Sequence, residues 1–498
     1  MNDSAKLFLP AIRWDASRGF EASRELIEMA LDRGVGGFII FGGESGAVRT
    51  LTSELRIRSK FPLLIGADLE RGAGQQFAGC IGLPPLAAIG SLGDAAAIAG
   101  AAELTAREAR TLGINWIYAP VCDIDAEPEN PIVGTRSLGS DPDEVAAAAA
   151  QWVESCQNAG VMACAKHFPG HGRTTVDSHA ALPSVAEDAE TLADTDLVPF
   201  EAAIDVGVAA VMTAHVAYPA LDPSGAPATL SARILNDLLR DEIGFPGLVV
   251  TDALIMEGVL GAGEATAVVK ALAAGCDLLL YPADLALCVD AVSAAAERGE
   301  LDSGRLALSL ERRRRWAEWA NAERRPASIG PEDEQWAEQL CDRVVHAVRG
   351  APRIIGGKVE VIVVDDDVGG PYPPPSRAPF VDVLVANGLN VDAREAPSGD
   401  AAEIVIALFG DIRSWKGRPG YSKRALDAVS SALDAANAER NSVTVVQFSH
   451  PRLAASVPGD APIICAWGGE AVMQRAGARA LTGRVAGKAR GLETGAAK

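Results

Sequence analysis

The segment AKHFPGHGRTTVDSH, residues 165–179, holds three of the six histidines of the chain together with a lysine, an arginine and an aspartate. His167 and His171 stand four residues apart, a spacing that aligns two metal ligands only when both lie on a helix. The proline and the two glycines of the segment disfavour a helix, so we expect no metal here. The alternative interpretation is a glycine-containing loop, decorated with polar side chains, that follows a strand.

Asp252 ends the strongly apolar run in GLVVTDAL. An ionised carboxylate beside apolar surface is costly unless partners stabilise it. Two interpretations of Asp252 follow. It is either the N-cap of a helix that starts near Leu254 or a nucleophile at the end of a buried strand.

Two further segments place charged groups beside glycines. In NPIVGTRSLGSDP, the planar fork of Arg136 suits a ligand rich in oxygen, or else pairs with Asp141 at the surface. In GADLERGAGQQF, Asp68 and Glu70 stand two residues apart, so on an extended chain they share a face. The alternative there is a loop salt bridge to Arg71.

Eight short apolar runs alternate with alanine-rich stretches before residue 285. Near-continuous apolar runs are typical of parallel strands covered on both faces, and the alternation predicts βα units. Eight such units predict an α/β protein with an N-terminal (β/α)8 TIM-type barrel; an open doubly wound sheet is the alternative. The runs occupy residues 7–12, 37–41, 62–68, 116–123, 161–168, 209–217, 247–254 and 277–282.

Polar side chains stand at the carboxyl ends of five of these runs. Barrel enzymes build their active sites on that face, so the pattern favours a catalytic barrel over a purely structural one. The residues concerned are Asp68, Asp123, Lys166, His167, His215 and Asp252.

A break in the helical pattern after the eighth run predicts a domain boundary, because Pro326, Gly330 and Pro331 disfavour a continuing helix. We predict a catalytic barrel over residues 1–326, a linker or helix over 327–350, and a smaller αβ sandwich domain over 351–498. Four apolar runs predict strands of a parallel sheet in this last part, at residues 358–367, 403–410, 442–449 and 461–467.

The composition excludes several classes of protein. The net charge of −21 repels nucleic acid, and an aromatic content of 5% leaves few platforms for stacking bases. The eight cysteines are scattered without a CxxC pair, which is typical of buried, reduced thiols. The sequence shows no secretory signal and no apolar run of about 20 residues, so we expect a cytoplasmic protein without a membrane partner.

Four segments together carry a resemblance to a known family. KHFPGHGRTTVDSH, GLVVTDALIMEGV, NPIVGTRSLG and ADLERG resemble the signature segments of glycoside hydrolase family 3, in its β-N-acetylhexosaminidase branch from peptidoglycan recycling. The resemblance covers residues 5–320 in order and is weaker over 340–485. It implies the barrel and the αβ sandwich that the apolar pattern also indicates.

The resemblance also implies roles for individual residues. Asp252 matches the nucleophile, His179 the general acid/base, and Asp177 the partner that orients His179. A retaining glycosidase needs a carboxylate that attacks the anomeric carbon and a group that protonates the leaving oxygen, and histidine titrates in the range that suits the second task. The positions that match sugar-binding residues are Asp68, Arg136, Lys166 and His167.

These expectations combine into one predicted activity. We expect an exo-acting, retaining β-N-acetylglucosaminidase that releases terminal GlcNAc from peptidoglycan fragments or chito-oligosaccharides without a metal or organic cofactor. The alternatives are a β-N-acetylglucosaminide phosphorylase, a β-glucosidase of the same family, and a sugar-binding protein without catalysis. The expected partner is a small carbohydrate, and a homodimer is also considered.

Overall fold

The computed structural model describes residues 3–176, 182–261, 263–325, 327–352, 356–368, 375–394, 398, 403–412 and 416–483 of the chain. Two compact units divide it: Met1–Ile81 with Ile98–Gly330, and Gly82–Ala97 with Pro331–Lys498. This division differs from the predicted one in two respects. Residues 82–97 belong to the second unit, and the segment predicted as a linker or helix supplies that unit with a helix and a strand.

The first unit is a closed barrel of parallel strands. It has eight strand positions, which we call staves. Pro10 splits the first stave into β1 and β2, which pair with the last and the second stave respectively. Parallel bridges from Trp116 to Met162 and from Val250 to Leu278 close the ring. The strands are β1 (Phe8–Leu9), β2 (Ala11–Arg13), β3 (Gly37–Phe41), β4 (Leu64–Ala67), β5 (Trp116–Ile117), β6 (Cys164–Phe168), β7 (Ala210–Thr213), β8 (Leu248–Thr251) and β9 (Leu279–Leu280).

Every stave sends alternate side chains into one buried cluster inside the ring. The intervening side chains, such as Ile12 and Ile40, are also buried, so each strand reads as continuously apolar. The inner cluster includes Leu9, Ala11, Ile39, Leu64, Trp116, Tyr118, Cys164, Met212, Val250, Leu278 and Leu280. Beyond this cluster, the inward-facing side chains at the carboxyl end of each stave therefore point into the mouth of the barrel.

Helices alternate with these strands, as the βα pattern predicts. Aspartates cap several of them; Asp141 accepts the amide of Glu144 at 3.0 Å, and Asp284 accepts that of Leu287 at 2.9 Å. The helices are α1 (Arg24–Arg33), α2 (Ser45–Arg58), α3 (Leu86–Gly90), α4 (Ala95–Thr111), α5 (Pro142–Asn158), α6 (Ala189–Thr191), α7 (Val198–Asp205), a π-helix (Arg233–Glu242), α8 (Glu264–Ala274), α9 (Leu285–Glu297) and α10 (Ser303–Ala320).

The second unit is a six-stranded sheet with helices on both faces. Its strand order is β10-β15-β14-β13-β11-β12, and all neighbours are parallel except β10 with β15. The strands are β10 (His346–Arg349), β11 (Lys358–Asp365), β12 (Asn390–Arg394), β13 (Glu403–Phe409), β14 (Ser442–Phe448) and β15 (Ile463–Cys465); the helices are α11 (Pro331–Val344), α12 (Ala378–Ala386), α13 (Lys423–Ala438) and α14 (Ala471–Leu481).

Two apolar clusters cover the two faces of this sheet. One combines Val359 and Phe409 with residues of α11, α12 and α14, and it also takes in Ala87 and Ala88 of α3. The other combines Ile362 and Ile406 with α13. This αβ sandwich matches the predicted class, and the contribution of α3 explains why 82–97 belong to the second unit. Among the described residues, no helix has the length and apolar character needed to cross a lipid bilayer.

Candidate functional site

The inward parity of the staves brings charged residues to the mouth of the barrel. Asp68, Lys166 and Asp252 stand an even number of residues after the inward-facing Leu64, Cys164 and Val250, so they face the same way. Since all eight strands are parallel, their carboxyl ends lie on the same face. The sequence therefore folds these residues towards one shared space.

Lys166 and Arg136 are joined through Glu70. The Lys166 Nζ lies 2.8 Å from Asp68 Oδ1 and 2.7 Å from Glu70 Oε1. Arg136 reaches the same carboxylate with both arms of its fork, Nη2 at 2.8 Å from Oε1 and Nε at 3.0 Å from Oε2. Asp68, Lys166, Glu70 and Arg136 thus form a chain of alternating charge, which we call the mouth cluster.

The charges of the mouth cluster hold one another in their ionised forms. Burial raises the pKa of Glu70, but Arg136 and Lys166 outweigh it and hold that pKa well below its usual range. Burial lowers the pKa of Lys166, but Asp68 and Glu70 raise it overall. Lys166 and Glu70 are buried, with 2% and 4% of their side chains exposed, whereas Asp68 keeps 28% and Arg136 23%. The cluster therefore offers one carboxylate and one guanidinium edge to a ligand.

Asp123 organises the loop that follows β6. Its Oδ1 accepts the backbone amides of His167 at 3.0 Å and His171 at 2.7 Å, and its Oδ2 lies 2.7 Å from His167 Nδ1. Burial alone raises the pKa of Asp123, but the adjacent His167 reverses this and lowers it. The carboxylate thus orients the imidazole of His167 and fixes the start of the loop.

Gly172 of this loop lies close to the segment that follows β5. A Cβ on Gly172 would lie 1.7 Å from the carbonyl oxygen of Ile124, so only glycine fits there. His171 is buried, and its Nδ1 lies 2.8 Å from Thr174 Oγ1. Burial, with the neighbouring His167, lowers the pKa of His171 to about 4, so its imidazole is neutral at pH 7.

Asp252 lies half-buried directly after β8. Its Oδ1 accepts the amide of Ala253 at 2.7 Å, and α8 begins only at Glu264 after Gly263, so Asp252 does not cap a helix that starts near Leu254. Burial raises the pKa of the Cys164 thiol, and the negative charges of Asp68 and Asp252 add to the rise. Both carboxylates therefore lie near Cys164.

The structure unites most of the predicted site residues. Asp68, Lys166 and Arg136 meet in the mouth cluster, and His167 and Asp252 lie at the same face. Arg136 binds Glu70 rather than Asp141, which caps α5, and Asp68 pairs with Lys166. Asp177 and His179 lie outside the described residues.

Glu70, Asp123 and His171 also lie in this site, although the sequence analysis gave none of them a specific role. Glu70 stands two residues after Asp68, and Asp123 ends an apolar run, so the sequence drew attention to both positions. Only the fold shows which residues they contact. His167 and His171 have ring centroids 5.9 Å apart. Within the described ranges, no group of three or more His, Cys, Asp or Glu side chains is arranged to hold a metal ion.

A (β/α)8 barrel whose carboxyl-end mouth gathers carboxylates, a lysine and an arginine defines a barrel enzyme with a site suited to a ligand rich in hydroxyl groups. Comparison with known families agrees with that class. Residues 7–315 match the family described as glycosyl hydrolase family 3 N terminal domain. The chain belongs to glycosyl hydrolase family 3.

Named relatives share this barrel. A "Beta-N-acetylglucosaminidase/beta-glucosidase" of Cellulomonas fimi is 38% identical over 261 residues, which are 50% of this chain and 46% of that protein. A "Beta-hexosaminidase" of Chromobacterium violaceum is 39% identical over 262 residues, 49% of this chain and 71% of the relative. The chain thus spans about half the length of the first relative and about seven tenths of the second.

A solved structure is similar over both units. The glycoside hydrolase family 3 β-N-acetylglucosaminidase from Paenibacillus sp. str. FPU-7 superposes with a TM-score of 0.86 at 29% identity, covering 97% of this chain and 96% of the other. This agreement includes the αβ sandwich that follows the barrel, beyond the part that the family description matches.

Proposed function

We propose that the protein is an exo-acting, retaining β-N-acetylglucosaminidase. The names of the Cellulomonas and Chromobacterium relatives and of the Paenibacillus structure support this activity. The observation that carries it is the placement of Asp252, an inward-facing, half-buried carboxylate at the same mouth as the Asp68–Lys166 ion pair.

In the proposed reaction, Asp252 is the nucleophile. Its carboxylate attacks the anomeric carbon, and the bond to the leaving oxygen breaks with its electron pair on that oxygen. Water then attacks the same carbon from the opposite side of the new ester bond, which restores the original configuration. The carboxylate of Asp252 is released unchanged.

His179 is the proposed acid and base, with Asp177 as its orienting partner. The imidazolium gives its proton to the leaving oxygen, and the resulting imidazole takes a proton from the incoming water. This assignment rests on the sequence resemblance. His179→Ala is expected to slow substrates with poor leaving groups more than activated aryl glycosides, and equal losses on both would refute the acid role.

The mouth cluster is the proposed binding site for the terminal sugar. Asp68 accepts hydrogen bonds from hydroxyl groups, while Lys166, His167 and Arg136 donate them. A site built to bond hydroxyls discriminates strongly against sugars that lack them, since its buried polar groups would then stay unpaired. Glu70 and Asp123 hold the donors in place.

The decisive experiment is incubation of the purified chain with an aryl β-GlcNAc. The expected result is release of GlcNAc whose first-formed anomer is β, as detected by NMR. Formation of the α-anomer would contradict a retaining mechanism, and faster cleavage of aryl β-glucoside would favour a β-glucosidase. Formation of sugar-1-phosphate in phosphate buffer would favour a phosphorylase.

The biological setting is also part of the proposal. Peptidoglycan fragments or chito-oligosaccharides are the proposed substrates, with the barrel of residues 1–326 as the catalytic part and residues 351–498 in a supporting role. The eight thiols, seven of them buried, are typical of a reducing compartment and support a cytoplasmic location. A homodimer remains an open prediction, tested by the mass of the protein in solution.

A further inference from the structure

Residues 215–218 follow β7, the strand that lies between β6 and β8 in the barrel wall. The segment after β8 begins with the proposed nucleophile Asp252, and the loop after β6 carries the proposed acid/base His179. The chain that leaves β7 is therefore adjacent to both, and we call residues 215–218 the bridge segment.

His215 bonds the segment that carries the nucleophile. Its Nε2 lies 3.2 Å from the carbonyl oxygen of Ala253, and because a carbonyl only accepts, Nε2 carries the hydrogen. The amide of the same Ala253 donates to Asp252 Oδ1 at 2.7 Å. His215 thus holds the residue whose amide orients the Asp252 carboxylate.

Buried hydroxyl groups hold His215 in turn. Its Nδ1 lies 2.7 Å from Thr229 Oγ1, which lies 2.8 Å from Thr213 Oγ1. All three residues are fully buried, with 0% of their surface exposed. Because both ring nitrogens bond protein atoms and no part of the ring reaches solvent, His215 acts on the reaction through Ala253 and does not touch substrate.

Ala217 and Tyr218 bond both ends of the loop that follows β6. The Tyr218 hydroxyl donates to the carbonyl oxygen of Gly170 at 2.5 Å, near the start of the loop. At its far end, the Ala217 amide donates to the Pro183 carbonyl and the Ala217 carbonyl accepts the Val185 amide, each at 2.9 Å. The bridge segment therefore holds the ends of this loop as well as the nucleophile segment.

We infer that the bridge segment is a positioning element that sets the separation between the nucleophile and the acid/base. His215 positions Asp252, and Tyr218 positions the loop that carries His179. A retaining glycosidase needs these two groups at a defined separation across the anomeric carbon, and a displacement of about 1 Å can cost roughly 100-fold in rate. This inference deepens the proposed function and rests on it.

Two substrates separate the two positioning roles. One is an activated aryl β-GlcNAc, and the other is an alkyl β-GlcNAc, whose alkoxide leaves poorly without a proton. Attack by Asp252 is needed for both substrates, whereas proton donation matters chiefly for the alkyl substrate. The measured quantities are kcat and KM on each substrate and the aryl-to-alkyl ratio of kcat/KM.

His215→Phe keeps an aromatic ring and removes both nitrogens. It is expected to lower kcat roughly 100-fold on both substrates, with KM and the aryl-to-alkyl ratio unchanged. His215→Gln should restore part of the loss, because its amide can donate to the Ala253 carbonyl. The matched control is His346→Phe, since His346 in the second unit also bonds a main-chain carbonyl, that of Val344 at 3.0 Å. It should leave kcat at the wild-type value.

Tyr218→Phe removes a single hydroxyl group. It is expected to lower kcat/KM on the alkyl substrate roughly 10-fold more than on the aryl substrate, which is a part of the about 10²- to 10⁴-fold that general acid catalysis supplies. Tyr421→Phe is the matched control, because Tyr421 is a buried tyrosine of the second unit whose hydroxyl lies 2.6 Å from Ser449 Oγ. It should keep the wild-type ratio.

The melting temperature separates positioning from general support of the fold. At a wild-type melting temperature, an equal loss on both substrates in Tyr218→Phe, or a His215→Gln as inactive as His215→Phe, would overturn the inference. Wild-type kinetics in both phenylalanine variants would overturn it too. A wild-type protein that cleaves neither substrate refutes the proposed function itself.

Thr229→Val provides a second variant if His215→Phe does not fold. Valine has nearly the shape of threonine but lacks the hydroxyl that holds the His215 ring, so kcat should fall on both substrates by a smaller factor. A folded Thr229→Val with the wild-type kcat would contradict the positioning role of His215.

Discussion

Both units of the chain gather charges at the carboxyl ends of parallel strands, but they leave them in different states. In the barrel, Asp68 and Arg136 keep 28% and 23% of their side chains exposed. In the αβ sandwich, Asp367 and Lys416 pair at 2.5 Å with 0% and 2% exposed. Asp68 of the first set keeps an exposed edge, whereas Asp367 and Lys416 of the second are enclosed.

In the sandwich cluster, the protein's own cations pair with the aspartates that follow β11. Arg377 binds Asp365 with two nitrogens and Asp367 with one, and Arg418 binds Asp366 at 2.7 Å. Aspartates that end a strand are thus no sign of chemistry by themselves. The difference between the two regions is whether the protein's own cations leave an edge of the carboxylates free, and this supports a structural role for the second unit.

The largest expected effect comes from the nucleophile. Asp252→Asn removes the negative charge that attacks the anomeric carbon, and losing such a residue typically lowers kcat by about 10⁴-fold or more. The measurement is the rate of aryl β-GlcNAc hydrolysis. Asp284→Asn is the control, because Asp284 follows the next stave but caps α9, and its loss should leave kcat unchanged. A residual rate above a tenth of wild type in Asp252→Asn would exclude the proposed role.

Two substitutions compare the mouth cluster of the barrel with the cluster in the αβ sandwich. Glu70→Gln and Asp367→Asn each leave buried cations without their partner, and each should cost about 3–5 kcal/mol of folding free energy. Only Glu70→Gln should also raise KM for aryl β-GlcNAc, since Lys166 and Arg136 lose the group that positions them. Urea unfolding and steady-state kinetics on both variants test this. A raised KM in Asp367→Asn would show that the sandwich cluster takes part in sugar binding.

His171 makes the stability of the barrel depend on pH. Its pKa falls from 6.5 to about 4 on folding, so the unfolded chain takes up a proton that the folded chain refuses. The folded state is unaffected by this group above pH 6.5 and loses stability as the pH falls from 6.5 to 4, by roughly 3 kcal/mol in all.

His171→Asn should therefore flatten the decline of melting temperature between pH 6.5 and pH 4. His450→Gln, which changes a histidine of the second unit, is the comparison and should retain the decline. The same slope in wild type and His171→Asn would show that other groups cause it.

The smallest expected effect tests the alternative partner of Arg136. Asp141→Ala removes the N-cap of α5 and should cost about 1 kcal/mol of stability. Because Arg136 binds Glu70 and not Asp141, kcat/KM should stay at the wild-type value. A loss of activity comparable to that of Glu70→Gln would mean that Asp141 supports the mouth cluster after all.

The sequence predicted the barrel well because burial leaves a strong local signal. Each stave is buried on both faces, so the apolar runs appear directly in the chain, and the residue after each run marks the mouth. The strands β10 and β12 were missed because they are short edge strands with polar residues such as the half-buried His346 and the exposed Asn390. Such strands take their conformation from pairing with a neighbour.

Other features depend on contacts between distant residues and leave no local pattern. Glu70 bridges Lys166 and Arg136 across 96 and 66 positions of sequence, as the chain order 70, 136 and 166 shows. The same holds for α3, whose Ala87 and Ala88 pack in the second unit although they stand between two barrel strands.

Substitution of Gly172 is expected to abolish activity while leaving every reactive side chain in place. Since an added methyl group would collide with the Ile124 carbonyl, Gly172→Ala must push the loop away from the segment that follows β5 and shift His171 with it. A saturation library at this codon should return glycine alone under selection for activity. Designers who reshape the loop for other substrates should keep that one codon fixed and vary its exposed neighbours.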